Sequence, residues 1–176
     1  MRTIESIVRF DLAVSTFCLQ HKFNRQVATI SKMISRSGDG DLYLLLGLLC
    51  WWLHPQVGGV FLAAGLVAFA IELPIYWTLK NGFKRRRPSD LCDLLSAFIT
   101  PSDRYSLPSG HTAAGFVMAT LISTFFPQWA WLGWCWGTLI GASRILLGVH
   151  FLTDVVIGAG LGISCAHLAL HILGIS

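Results

Sequence analysis

Three long stretches of this 176-residue chain contain no Asp, Glu, Lys or Arg: 42–71, 105–143 and 155–176, with 30, 39 and 22 residues. A helix that crosses a bilayer needs about 20 mostly apolar residues, so each stretch is long enough to hold one. Charged residues make up 12% of the chain and hydrophobic residues 54%. A soluble domain carries about twice that charge. Disorder is excluded, because it requires low hydrophobicity, and a water-soluble globule fits no better. Apolar material recurs as far as the C-terminus, unlike a cleaved signal peptide. The chain reads as an all-α integral membrane helical bundle, one domain over 1–176.

Breakers divide the apolar stretches. His54-Pro55 separates a helix over about 41–54 from one over about 57–79, and Pro127 separates 109–126 from 129–147. A last helix covers about 150–173. Trp129, Trp131, Trp134 and Trp136 follow Pro127 as an interfacial aromatic belt does. Five transmembrane helices follow, within a core of 41–173. Residues 1–40 carry two short apolar stripes interrupted by charge, the pattern of amphipathic helices at the interface; a sixth span there is the alternative. The five cysteines are odd in number and form no CxxC pair, so neither a disulfide framework nor a zinc site is expected.

Parity brings distant residues together. The 57–79 helix ends at a basic loop, 80–108, and the 109–126 helix leaves from the same loop. It crosses away and 129–147 crosses back. Lys80, Arg87, His111, Arg144 and His150 therefore share one face of the membrane.

Their chemistry suits an anion. Residues 80–87 hold five cations, and guanidinium forks bind phosphate oxygens two at a time. Read alone, that run equally fits a juxtamembrane anchor for anionic lipid. Pro108-Ser109-Gly110-His111 starts a helix: Ser109 suits the N-cap, Gly110 allows close backbone approach, and the helix N-terminus favours an anion. Arg144 and Asp154 are the only charges after residue 104, and a charge near the bilayer is costly unless paired or functional. His150 and Asp154 are four apart and share a helix face. A carboxylate there can fix the imidazole tautomer and leave one nitrogen lone pair free for attack. A structural Arg–Asp pair is the plainer alternative. Glu72 is expected to pair with a loop cation or to be solvated, and His54 to cap a turn. His167 and His171 are read as interfacial hydrogen-bonding residues, not metal ligands.

Lys80-x6-Arg87-Pro88, Pro108-Ser109-Gly110-His111 and Ser143-Arg144-x5-His150-x3-Asp154 resemble the tripartite signature of the type 2 phosphatidic acid phosphatase superfamily at every motif position. The resemblance implies a helical core and a membrane lipid phosphatase that needs no metal and no cofactor. By it, His150 is the nucleophile that forms a phosphohistidine, Asp154 orients it, and His111 is the acid and base. Lys80, Arg87 and Arg144 bind the phosphoryl group with Ser109 and Gly110. The implied partner is a lipid phosphate entering from the bilayer, with undecaprenyl pyrophosphate or a glycerophospholipid such as phosphatidylglycerophosphate or phosphatidate preferred. The net charge of +4 then reflects a phosphate site and a basic collar, not a nucleic-acid surface. The sequence carries no signal for an oligomeric state.

The resemblance also implies a bacterial inner membrane and an extracytoplasmic active site. The basic residues on the active face point the other way, since positive charge favours the cytoplasmic side. The alternatives are a lipid-to-lipid phosphotransferase or lipid A phosphatase of the same fold, a non-enzymatic head-group binding or transport protein, and, more remotely, a vanadate-dependent peroxidase.

Overall fold

The structure is a computed structural model that describes residues 2–20, 22–92 and 94–175. Among these residues it is helical, without strands: α1 Arg2–Leu19, α2 Asn24–Arg36, α3 Gly40–Leu53, α4 Pro55–Phe83, α5 Pro88–Leu91, α6 Gly110–Phe125, α7 Ala130–Leu146 and α8 Leu152–Ile172. The expected helices over 41–54, 109–126, 129–147 and 150–173 fall on α3, α6, α7 and α8.

The second expected helix is longer than its pattern suggested. α4 passes through Pro74 and ends only at Phe83, where Lys84 adopts a left-handed conformation. Lys80 therefore sits on the last helical turns rather than in a loop. At about 1.5 Å per residue, the 29 residues of α4 span about 43 Å, more than the ~30 Å hydrocarbon core, so one end projects beyond it. Pro55–Leu91 and Leu152–Ile172 each contain an 18-residue window apolar enough to cross a membrane, with mean hydropathies of 2.0 and 1.8 over that window. α3, α6 and α7 have 14, 16 and 17 residues, short for the five full-length spans expected.

α6 is the central helix and packs against α4, α7 and α8. Small residues let the backbones meet, as is usual between helices in lipid. A Cβ on Gly162 would lie 2.1 Å from the Ala113 carbonyl oxygen, and one on Gly158 would lie 2.6 Å from that of Ser109. One apolar core joins Tyr43, Phe61, Ala68, Val117, Leu121 and Ala166 across α3, α4, α6 and α8. The exterior is also apolar: Leu45, Trp52, Leu66, Trp131, Val156 and Leu168 are exposed. Grease outside and a polar cluster inside is the arrangement of a bundle solvated by lipid.

α1 and α2 pack on the bundle, α2 chiefly against α7. α2 turns Ala28, Ser31 and Ser35 inward and leaves Ile30 and Met33 exposed.

Candidate active site

Lys80, Arg87, Ser109, Arg144, His150 and Asp154 are all buried, and they come from α4, the segment before α5, and the ends of α6, α7 and α8. Arg87, Gly110, His111, Arg144 and His150 line one cavity of about 380 Å³. The cavity continues between α3 and α4 along Gly47, Phe61, Gly65 and Phe69. Five of the eight sequence candidates thus line one cavity, and Lys80, Ser109 and Asp154 are buried but outside its lining.

The turn from α7 to α8 delivers the histidine. Gly148 takes φ +73°, a conformation costly for residues with a Cβ. The chain then doubles back, and the N–H of His150 donates to the Arg144 carbonyl at 3.3 Å. His150 Nδ1 lies 3.7 Å from Asp154 Oδ2, beyond hydrogen-bonding distance, and has no hydrogen-bond partner among the described residues. The expected pairing is therefore an electrostatic contact. Asp154 Oδ2 instead accepts from the Phe151 N–H at 2.8 Å, and Oδ1 accepts from Arg85 Nη1 at 2.7 Å. Burial pushes the His150 imidazole down to about 4, with Arg144 and Arg87 adding to the effect and Asp154 opposing it. A shift in this direction favours the neutral imidazole.

Lys80 and Arg87 are held by one carboxylate, Asp103, which no sequence pattern marks. Asp103 Oδ1 bridges Lys80 Nζ at 2.7 Å and Arg87 Nη2 at 2.6 Å. Tyr76 accepts from Lys80 at 2.6 Å and donates to Asp103 Oδ2 at 2.9 Å. Burial alone would raise the Asp103 carboxyl, but Lys80, Tyr76 and Arg87 outweigh it and hold it below its ordinary value. Arg144 Nη1 donates to Ser35 Oγ at 2.6 Å. The Nε–H groups of both Arg87 and Arg144 are buried and have no partner among the described residues. A buried donor left unpaired costs free energy.

His111 Nε2 stands 3.1 Å from Asp39 Oδ1, which gives the second histidine an orienting carboxylate of its own. Ser109 occupies the N-cap of α6, but its hydroxyl makes no capping bond and accepts from Thr112 at 2.8 Å. A Cβ on Gly110 would lie 2.9 Å from the Tyr76 ring, so packing alone already demands glycine there. Glu72 corrects the sequence reading. It is 2% exposed, lines the cavity and, among the described residues, has no ion pair or hydrogen bond. Asp39, Asp103 and Asp11 escaped notice because they lie among other charges in polar segments. Among the described residues, no group of three His, Cys, Asp or Glu side chains could hold a metal ion.

Among the described residues the fold is an all-α bundle that buries three cations and a histidine at the mouth of an apolar cleft. Residues 56–175 match the PAP2 superfamily, and the chain belongs to that family. It is 31% identical over 141 residues to a probable lipid phosphate phosphatase beta of Arabidopsis thaliana, covering 64% of this chain and 66% of that protein. It is 37% identical over 108 residues to an undecaprenyl-diphosphatase of Sulfolobus acidocaldarius, covering 61% and 52%. The chain thus spans less than two thirds of the length of these relatives. The fold matches the crystal structure of Aquifex aeolicus LpxE with a TM-score of 0.79 and 25% identity, over 91% of this chain and 94% of that one. It also matches a PAP2-type phosphatidylglycerolphosphate phosphatase from Bacillus subtilis with a TM-score of 0.74 and 21% identity, over 99% and 88%.

Proposed function

We propose that this chain is a membrane lipid phosphatase that works through a phosphohistidine on His150. The observation that carries the reading is the convergence of Arg87 and Arg144 on a buried His150, with Lys80 joined to Arg87 through Asp103, beside two guanidinium N–H groups without a partner among the described residues. Phosphoryl transfer needs little beyond positioning and charge stabilisation, and these groups supply both. Nδ1 faces Asp154, so Nε2 is the attacking atom. The Nε2–P bond forms as the P–O bond to the lipid breaks, and protonated His111 gives its proton to the leaving oxygen. Neutral His111 then takes a proton from water. The water oxygen bonds to phosphorus, and the N–P electron pair returns to His150.

The apolar cleft between α3 and α4 supports a lipid substrate whose chain lies along it while its phosphate reaches the cations. Undecaprenyl pyrophosphate and glycerophospholipid phosphates are the preferred substrates. The named relatives act on undecaprenyl diphosphate, lipid phosphate and phosphatidylglycerolphosphate. The test is phosphate release by purified protein without an acceptor, from undecaprenyl pyrophosphate, phosphatidylglycerophosphate, phosphatidate and lipid A. Release is expected to be blocked by vanadate, unaffected by EDTA and absent in His150→Ala. Inhibition by EDTA, or release only when an acceptor lipid is added, would reject the metal-free hydrolase.

The reading extends to five membrane crossings in a bacterial inner membrane, with the active face outside the cytoplasm. The basic bias of that face weakens as an orientation signal because Arg85, like Lys80, Arg87 and Arg144, is held within the site. Ser102 is exposed at the cavity mouth. In a variant whose own cysteines are replaced, Ser102→Cys is expected to react with an impermeant thiol reagent on intact cells. Reaction only after lysis reverses the orientation.

A further inference from the structure

Arg85 lies between two phosphate-facing cations in sequence, yet it turns away from them. Its Nη1 donates to Asp154 Oδ1 at 2.7 Å and to Thr153 Oγ1 at 2.6 Å, and its Nη2 donates to Asp11 Oδ2 at 2.6 Å. The guanidinium lies 4.5 Å from the centre of the Phe151 ring, and the Arg85 carbonyl accepts from the Ser106 N–H at 2.9 Å. Asp11, on α1, is fully buried. It also accepts from the Thr153 N–H at 3.2 Å and from the Thr153 hydroxyl. Two fully buried carboxylates, one near each end of the chain, thus share one cation.

We propose that Asp11 is a positioning residue for the nucleophile, acting through Arg85 and Thr153 on Asp154. The inference rests on His150 being the nucleophile. Attack on phosphorus leaves a positive imidazole ring, which needs a compensating charge at the carboxylate that faces it. Arg85 alone would cancel Asp154. With Asp11 added, the Asp11–Arg85–Asp154 chain keeps a net charge of −1, 3.7 Å from His150 Nδ1. The same contacts fix the carboxylate: Arg85 holds Oδ1 and the Phe151 N–H holds Oδ2, so Oδ2 faces the ring. The nearby cations Arg144 and Arg87 oppose a charged ring, which makes the surplus negative charge necessary. The other charged and titratable groups around the site are Lys80, Asp103, Tyr76, Glu72, His111 and Asp39. Lys80 is balanced by Asp103, and His111 faces Asp39. The family match begins at residue 56, so Asp11 acts from outside the matched segment.

The experiment compares Asp11→Asn with the parent, both full length and in detergent. It uses whichever of phosphatidate, phosphatidylglycerophosphate, undecaprenyl pyrophosphate or lipid A gives the highest parental rate. Supporting partners of active side chains typically contribute about 10- to 100-fold. The expected result is a fall of that size in kcat, with KM within about threefold and the folded fraction unchanged. Thr153→Ala should show a smaller fall of the same kind. Arg85→Gln leaves both carboxylates unopposed and should move the acid limb of kcat/KM to higher pH; if it does not fold, Asp11→Asn decides alone. Parental kcat in Asp11→Asn, or a loss that only tracks unfolding, overturns the proposal. Activity remaining in His150→Ala overturns the nucleophile reading instead, so the two failures are distinguishable.

Discussion

The helices that carry the motifs and the helices that precede them reach the active site by different means. α6, α7 and α8 meet backbone to backbone through glycine and alanine: Gly162 against Ala113, Gly158 against Ser109, and Gly137 against Gly115. α1 and α2 reach the same place through polar side chains. Asp11 holds Arg85 and Thr153, and Ser35 holds Arg144; beyond the end of α2, Ser37 accepts from Trp136 at 2.9 Å and Asp39 faces His111. Small residues set the distance between rigid elements, whereas polar contacts set charge and side-chain orientation. The motif helices therefore fix the spacing of the candidate site, and the N-terminal segment contributes polar contacts to its side chains.

Substitutions in the two regions should separate these roles. His150→Ala, within the motif helices, is expected to cut phosphate release by at least about 10³-fold, as loss of a nucleophile does, with the protein still folded in a thermal melt. Gly162→Leu should lower the melting temperature sharply, because its side chain must push α8 off α6; overpacking costs about 1–3 kcal/mol and occasionally more. An unchanged melt would mean that the small-residue contact is not what holds these helices.

Acid should act on the motif region as well. His150 is held down to about 4 from its ordinary 6.5, so between those values the unfolded chain binds a proton that the folded chain does not. Stability then falls as pH drops from about 6.5 to about 4. Melting curves should show this fall, and His150→Gln should diminish it.

The polar contacts predict smaller effects, mostly on binding. Asp103 occupies Lys80 and Arg87, which an incoming phosphoryl group must share. Asp103→Asn should tighten vanadate inhibition about tenfold, an effect of about 1.4 kcal/mol; weaker inhibition would make the carboxylate an organiser of the cations rather than a competitor. Ser35→Ala removes one partner of Arg144 and should raise KM about fivefold, the scale of one hydrogen bond. No change in KM would place Ser35 outside the binding function.

Legibility followed the background against which each residue stands. Arg144 and Asp154 were conspicuous because no other charge lies in residues 105–176. His111 and Ser109 were readable from a helix start. Asp103, Asp39, Arg85 and Asp11 were not, since each sits among other charges where a solvated role is the ordinary one. Tyr76 and Ser35 look like unremarkable helix residues until the fold aims them inward. Glu72 was misread for a related reason: its span suggested a helix end, but α4 continues for another eleven residues to Phe83.

By itself, the sequence determined the all-α class, the helix order, the apolar exterior and the residues of the three motifs. These depend on periodicity, breakers and charge within apolar runs, all of which are local. Only the tertiary structure decided which carboxylate holds which cation, that His150 and Asp154 stand 3.7 Å apart, and that Asp11 joins the site from 143 positions away. Such pairings depend on distances between elements remote in the chain, and no local pattern records them.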